Sequence, residues 1–204
     1  MTTVCLLCMK PIGSDLSWQA FLRIEKNRAL CDSCSNRFVR ADIIEEGTVL
    51  DRVHSLYAYD EPMRDWLHQY KFLQDVALAD VFADELNKAL TGRDIIVPIP
   101  MHPERVMERT FAHVDTLLDR AKRPYRQLLE KRTLAVMGEK NRQERLAMGP
   151  LFRLKPGAVI EPVTYRLVDD IYTTGTTLRQ AAQLLKDAGA ARVEAVTLIR
   201  SVQK

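Results

Sequence analysis

Apolar positions along the chain change their spacing from segment to segment, and each spacing implies an element. Val49, Val53, Leu56, Tyr57 and Tyr59 lie in a β-rich run, and Pro62 then sits at the start of a helical stretch, Met63 to Phe72. A second helix is expected from Asp75 to about Leu90, with Leu78, Phe82, Leu86, Ala89 and Leu90 on a helical repeat and Thr91-Gly92 as its stop. Asp94-Ile-Ile-Val97 reads as a short apolar strand ended by Pro98-Ile-Pro100. A basic amphipathic helix follows from about Val106 to Lys122, with Phe111, Val114, Leu117 and Leu118 inward. Residues 131–148 lack apolar periodicity and cluster charges, so they read as a long loop, of a length usually reserved for function or motion.

The pattern is clearest over the last fifty residues. Tyr165-Arg-Leu-Val168 is a strand with Asp169-Asp170 at its carboxyl end, and Thr173-Thr-Gly-Thr-Thr177 leads into a helix from Leu178 to Ala188. Gly189 closes that helix, and Val193 to Ile199 is a further strand. Strand, loop, helix, strand is a right-handed crossover and implies an α/β fold built on a parallel sheet flanked by helices.

Composition narrows the class. Of 204 residues, 47% are hydrophobic and 28% charged, and no window approaches the length of apolar chain that a membrane helix needs, so disorder and a membrane span are set aside. The first residues lack the basic and apolar regions of a secretory signal, which makes a cytoplasmic protein with reduced thiols the expectation. Cys5-Leu-Leu-Cys8 and Cys31-Asp-Ser-Cys34 then hold all four cysteines in two knuckles. That is the spacing of a tetrahedral thiolate zinc site, structural because four thiolates leave no open position. Two unrelated Cys-x2-Cys pairs would be the plainer reading, but no cysteine is left over to suggest it. The chain accordingly divides into a zinc-ribbon-like module over 1–45, too small to fold without metal, and one domain over 46–204.

Charge is uneven. The net of +3 resolves into 0 over residues 1–50, −4 over 51–100, +6 over 101–155 and +1 over 156–204, so the positive excess sits in one stretch and suggests an anionic ligand or partner there. In an open α/β sheet ligands bind beyond the carboxyl ends of the strands, where Asp169, Asp170 and the hydroxyl-rich turn fall. Backbone N–H groups of 173–177, with the helix dipole and the Thr hydroxyls, make a phosphate cradle in which Gly175 permits close approach. Carboxylates beside a phosphate suit sugar hydroxyls or a divalent cation. Together they describe a site for a ribose 5-phosphate unit. It is no P-loop, because Gly-x4-Gly-Lys-Ser/Thr occurs nowhere in the chain.

The run Leu167-Val-Asp-Asp-Ile-Tyr-Thr-Thr-Gly-Thr-Thr177 resembles the signature of type I phosphoribosyltransferases, which hold 5-phosphoribosyl 1-pyrophosphate (PRPP). The cysteine module, Tyr59-Asp-Glu-Pro-Met-Arg64 with His68 and Lys71-Phe72, and Val97-Pro-Ile-Pro-Met-His-Pro103 narrow the resemblance to the ComF family of competence proteins. It implies that Asp169 and Asp170 hold the ribose hydroxyls, directly or through Mg²⁺, and that Thr173, Thr174, Gly175, Thr176 and Thr177 bind the 5-phosphate. Pro100, Met101 and His102 take the place of a pyrophosphate loop, with Arg105 and Arg109 near enough to neutralise charge. Arg132, Lys140, Arg142 and Arg145 fall in a mobile hood over the site.

The family also implies DNA uptake in natural competence, with single-stranded DNA and DNA-uptake or helicase proteins as partners. Two functions follow: a phosphoribosyltransferase, or a non-catalytic single-stranded DNA-binding factor that retains a PRPP or nucleotide site. The chain departs from the family's Arg-Gly-Phe-Asn-Gln run, reading Arg109-Thr-Phe-Ala-His113, and follows Arg132-Thr133 with Leu134-Ala-Val-Met137 where a glutamine is usual. His68 and Lys71, three apart on a helix, read either as site-facing or as surface groups, and Tyr172 either as a stacking or as a packing residue.

Overall fold

The computed structural model describes residues 4–12, 29–102, 106–108, 110–131 and 151–201. Among these residues a five-stranded sheet is built from β1 (Arg40–Glu46), β2 (Arg52–Ala58), β3 (Ile95–Pro98), β6 (Thr164–Tyr172) and β7 (Arg192–Arg200), in the order β1-β2-β7-β6-β3. The last four are mutually parallel, and β1 pairs antiparallel with β2 at one edge. A separate hairpin joins β4 (Leu129–Lys131) to β5 (Phe152–Leu154). The α/β architecture expected from the sequence is the one observed.

Helices cover both faces. Strand side chains alternate between faces, so Val168, Val196 and Leu198 face one core while Leu167, Val97 and Ala195 face the other. The first core receives α2 (Glu61–Phe72) through Met63, Trp66 and Tyr70, and α4 (His113–Arg120) through Val114, Leu117 and Leu118. The second receives α5 (Thr176–Asp187) through Leu178, Ala181, Ala182 and Leu185. The Asp60 carboxylate caps α2 by accepting from the Met63 N–H at 3.0 Å, and Pro62 in the first turn has no N–H to leave unpaired. Among the described residues no helix is long and apolar enough to cross a membrane.

Besides the short hairpin β4–β5, four elements depart from the sequence reading. The helix expected over 75–90 is a 3₁₀ segment, Val76–Phe82, followed by α3 (Ala83–Ala89). Here the Trp66 indole N–H donates to the Leu78 carbonyl at 3.2 Å, tying the segment to α2. The helix expected over 106–122 covers only its second half as α4: Thr110 adopts a left-handed φ of 64° and Ala112 is extended, so the helical turn at 106–108 cannot run into α4. Strand β6 runs to Tyr172, which puts Asp169 and Asp170 inside the strand rather than beyond it. Strand β1 was not foreseen, because its residues are nearly all exposed and carry no alternation.

Candidate active site

At the carboxyl ends of β3 and β6 lies a cavity of about 180 Å³ whose walls include Lys71, Pro100, Met101, His102, His113, Lys131, Asp169, Asp170 and Thr177. Six of these are ionisable, two lysines, two histidines and two aspartates, which concentrates far more electrostatics here than the small volume suggests.

Consecutive residues of a strand point to opposite faces, so Asp169 and Asp170 meet different surroundings. Asp170 faces the first core, where its carboxylate lies 2.5 Å from the Lys71 Nζ and 3.1 Å from the His113 Nε2. All three side chains are nearly buried. Lys71 comes from the last turn of α2 and His113 is the first residue of α4, so the interruption at Thr110 and Ala112 is what delivers the imidazole to the carboxylate. The Tyr70 hydroxyl fixes that helix start by donating to the His113 carbonyl at 2.7 Å. Burial alone would raise the Asp170 pKa, but the Lys71 ammonium and the His113 imidazole outweigh it and hold the carboxyl well below the usual range. The other imidazole nitrogen, His113 Nδ1, is buried without a hydrogen-bond partner among the described residues.

Asp169 is half-buried on the cavity floor and accepts the Asp170 backbone N–H at 2.9 Å. Its recessed position, and then the neighbouring Asp170 charge, push its pKa above the ordinary carboxylate range. Two adjacent acids are thus driven apart in proton affinity: one committed as an anion to protein cations, the other open to the cavity and eager for a cation or a donor.

Beyond Tyr172 the chain turns through Thr173, Thr174 and Gly175 into α5. Gly175 has φ 72°, and a Cβ there would lie 2.2 Å from the Tyr172 hydroxyl, so no larger residue fits. The Thr174 and Thr176 hydroxyls are 3.0 Å apart. The first N–H groups of α5 have no intrahelical acceptors and point outward from this turn.

The structure therefore gathers Asp169, Asp170, Thr177, Pro100, Met101 and His102 round one cavity, with Thr173, Thr174, Gly175 and Thr176 forming the adjoining turn. Arg105, Arg109, Arg132, Lys140, Arg142 and Arg145 lie outside the described residues. Of the two residues weighed on α2, Lys71 enters the cavity, whereas His68 is exposed and packs its ring on Phe72 at 5.4 Å. Tyr172 is a packing residue, buried at 3% exposure. Sequence reasoning missed the part played by His113, although it sits four residues before Leu117 on the inward stripe of α4. A larger hollow of about 270 Å³ lies at the amino ends of β2, β6 and β7, lined by Arg52, His54, Lys88, Arg166 and Glu194.

The cysteines form a second centre. The Sγ atoms of Cys5, Cys8, Cys31 and Cys34 all lie within 4.8 Å of one another, with Cys8 to Cys31 at 3.7 Å. A tetrahedron of sulfurs at the Zn–S bond length has edges of about 3.8 Å, so the set fits one such ion. Each knuckle is shaped by its own backbone: the Met9 N–H donates to the Cys5 carbonyl at 2.9 Å, and the Ser35 N–H to the Cys31 carbonyl at 2.9 Å, across the single turn α1 (Asp32–Ser35). Burial and then the neighbouring sulfurs raise the Cys34 thiol pKa, the condition a bound cation would reverse. Just after the second knuckle, Phe38 packs edge-on to Phe82 at 5.1 Å.

In comparisons with known proteins, residues 166–204 match the family "Phosphoribosyl transferase domain". The chain is 32% identical over 220 residues to "Competence protein ComFC" of Streptococcus pneumoniae (strain ATCC BAA-255 / R6), covering 96% of this chain and 99% of that protein. It is 28% identical over 229 residues to "Competence protein ComFC" of Bacillus subtilis (strain 168), covering 97% and 95%. Among solved structures, a hypoxanthine phosphoribosyltransferase from Staphylococcus aureus aligns with a TM-score of 0.35 at 20% identity, over 63% of this chain and 62% of that one.

Proposed function

The chain belongs to the ComFC family of competence proteins, and we propose that its cavity binds PRPP with Mg²⁺ in the service of DNA uptake, with phosphoribosyl transfer as its reaction class. The observation that carries this reading is the division of labour between the two acids beside a glycine turn at the carboxyl edge of the sheet. Asp169 is the carboxylate open to ribose hydroxyls or their metal. The turn Thr173–Thr177 takes the 5-phosphate on backbone N–H groups. Lys71, Lys131 and His102 also line the cavity, and they are the groups assigned to the leaving pyrophosphate. Mg²⁺, when bound with the ligand, supplies charge neutralisation on that pyrophosphate.

In the reaction, a nucleophile bonds to the anomeric carbon as the C1–O bond breaks, and pyrophosphate departs with the electron pair. The nucleophile gives its proton to a base or to water. The protein's part is positioning and electrostatics, for which a recessed site of fixed charges is suited. The four-cysteine module holds one structural zinc, which supplies its folding free energy.

Calorimetry of the full chain with PRPP is the test. Binding that requires Mg²⁺ and is weakened about thirtyfold in Asp169→Asn is the expected result. Absence of PRPP binding with Mg²⁺ present would overturn the reading. Metal analysis should return about one zinc per chain, and chelation should unfold the module first.

A further inference from the structure

The phosphate turn is held from behind by a chain of contacts that ligand binding by itself does not call for. Arg179, in the first turn of α5, donates from Nη2 to the Thr174 carbonyl at 2.5 Å and from Nη1 to the Tyr172 hydroxyl at 3.1 Å. That hydroxyl donates in turn to Glu45 of the edge strand β1 at 3.2 Å. Glu45 pairs with Arg200 at the end of β7, and the Arg200 guanidinium lies 3.8 Å from the centre of the Tyr172 ring. The remaining arginine nitrogen, Arg200 Nη1, is buried with no partner among the described residues, so this side chain is committed to stacking at the expense of a hydrogen bond. Gly175 completes the fit, since any side chain there would occupy the space of Tyr172 and Arg179.

From this geometry we infer that Tyr172 and Arg179 are positioning residues that pre-set the turn for an anionic phosphate ester, with Glu45 and Arg200 holding Tyr172 in place. The inference rests on reading the turn as an anion cradle. Residues 173–177 carry no charge of their own. Behind them stand two guanidinium groups against one carboxylate, an excess of one positive charge fixed close to where a phosphate would sit. A turn already ordered does not lose backbone entropy on binding, which is the usual gain from preorganisation. The edge strand β1 takes part through Glu45, whose backbone lies opposite Val53 of β2 and whose carboxylate meets both the Tyr172 hydroxyl and Arg200.

Tyr172→Phe keeps the ring and its packing while removing the hydroxyl, and Arg179→Gln removes both donations to the turn. In the ligand-free full chain, backbone ¹⁵N order parameters of 173–177 are expected to fall from about 0.85 towards 0.6 in either variant, with the rest of α5 unchanged. The dissociation constant for PRPP with Mg²⁺ is expected to rise about tenfold for Tyr172→Phe, the worth of one hydrogen bond, with the melting temperature held within about 2 °C. Unchanged order parameters in both variants would overturn the clamp, whatever happens to PRPP. A loss of several degrees in melting temperature with no local change at the turn would overturn it too, assigning Tyr172 to the core alone. If the wild-type chain fails to bind PRPP while the turn still loosens in the variants, the proposed ligand falls and the clamp stands.

Discussion

Four residues apart on the same face of β6, Arg166 towards the amino end and Asp170 towards the carboxyl end show how differently one sheet can treat a largely buried charge. Arg166, at the amino end, pairs with Asp94 and with Glu194 at 3.1 Å, and donates to the Thr91 carbonyl at 3.0 Å. Both terminal guanidinium nitrogens are engaged and its acids are shared out, Glu194 also accepting from Arg192 at 2.8 Å. Asp170 likewise has two basic partners, Lys71 and His113, but beside it lie an acid with raised proton affinity and a buried imidazole nitrogen with no hydrogen-bond partner among the described residues. The larger hollow is at the amino end, yet the unresolved electrostatics are at the carboxyl end. Satisfied charge is architecture; charge left partly unsatisfied is where a ligand has something to offer.

The comparison can be broken most forcefully at Asp170. Asp170→Asn leaves the Lys71 ammonium nearly buried without its counter-charge, and urea unfolding should show a loss of about 3 kcal/mol. Adding Lys71→Met should recover much of it. A loss below about 1 kcal/mol would mean that the carboxyl end is as relaxed as the other. Next comes Asp169→Asn, which removes a like charge from beside Asp170. Its folding stability should stay the same or rise, while affinity for PRPP with Mg²⁺ drops by about 2 kcal/mol, or thirtyfold, by calorimetry. At the amino end, Arg166→Met should cost about 1–2 kcal/mol in the same urea experiment and leave PRPP affinity untouched, since Asp94 and Glu194 are partly solvated and can rehydrate. Any effect on binding there would erase the contrast.

The smallest effect is on pH. Asp169 binds its proton more tightly folded than unfolded, so between the ordinary carboxylate pKa near 4 and its raised folded value the native state holds more protons. Its contribution to stability is present at the acid end of that window and fades as pH rises. Asp170 runs the other way, stabilising above the unfolded carboxylate pKa and failing only as pH falls through its depressed one. The urea midpoint of the wild type relative to Asp169→Asn should therefore decline from pH 5 to pH 8, and Mg²⁺ with PRPP should flatten the decline.

How much of this was legible depends on whether an element carries its own burial signal. Strands β3, β6 and β7 announced themselves because both of their faces are covered and they read as apolar runs. The run of acids and threonines was legible for the same reason, lying at the end of the strongest such strand. Strand β1 left no pattern, being an exposed edge, and β4 and β5 at three residues each are too short to show one. The stretch before α4 misled, since a helical repeat of apolar residues says nothing about a single left-handed residue at Thr110. That one backbone angle hid His113, and with it the reason Asp170 differs from Asp169. Lys71 could be weighed from its place on α2, but only three-dimensional pairing separates it from His68.

The order of strands has one more consequence, for synthesis on the ribosome. β7 lies between β2 and β6, and the buried Ser55 and Thr197 hydroxyls that meet at 2.7 Å across β2 and β7 are separated by 142 residues. While the polypeptide is being made, β2 and β6 wait with unpaired edges, since the strand that joins them emerges after both. Closure of the sheet must await release of residues 192–200, so the nascent chain passes through a long interval of exposed, pairable backbone. A premature stop codon that deletes this segment would remove the middle of the sheet rather than its margin, and leave a polypeptide destined for aggregation or proteolysis.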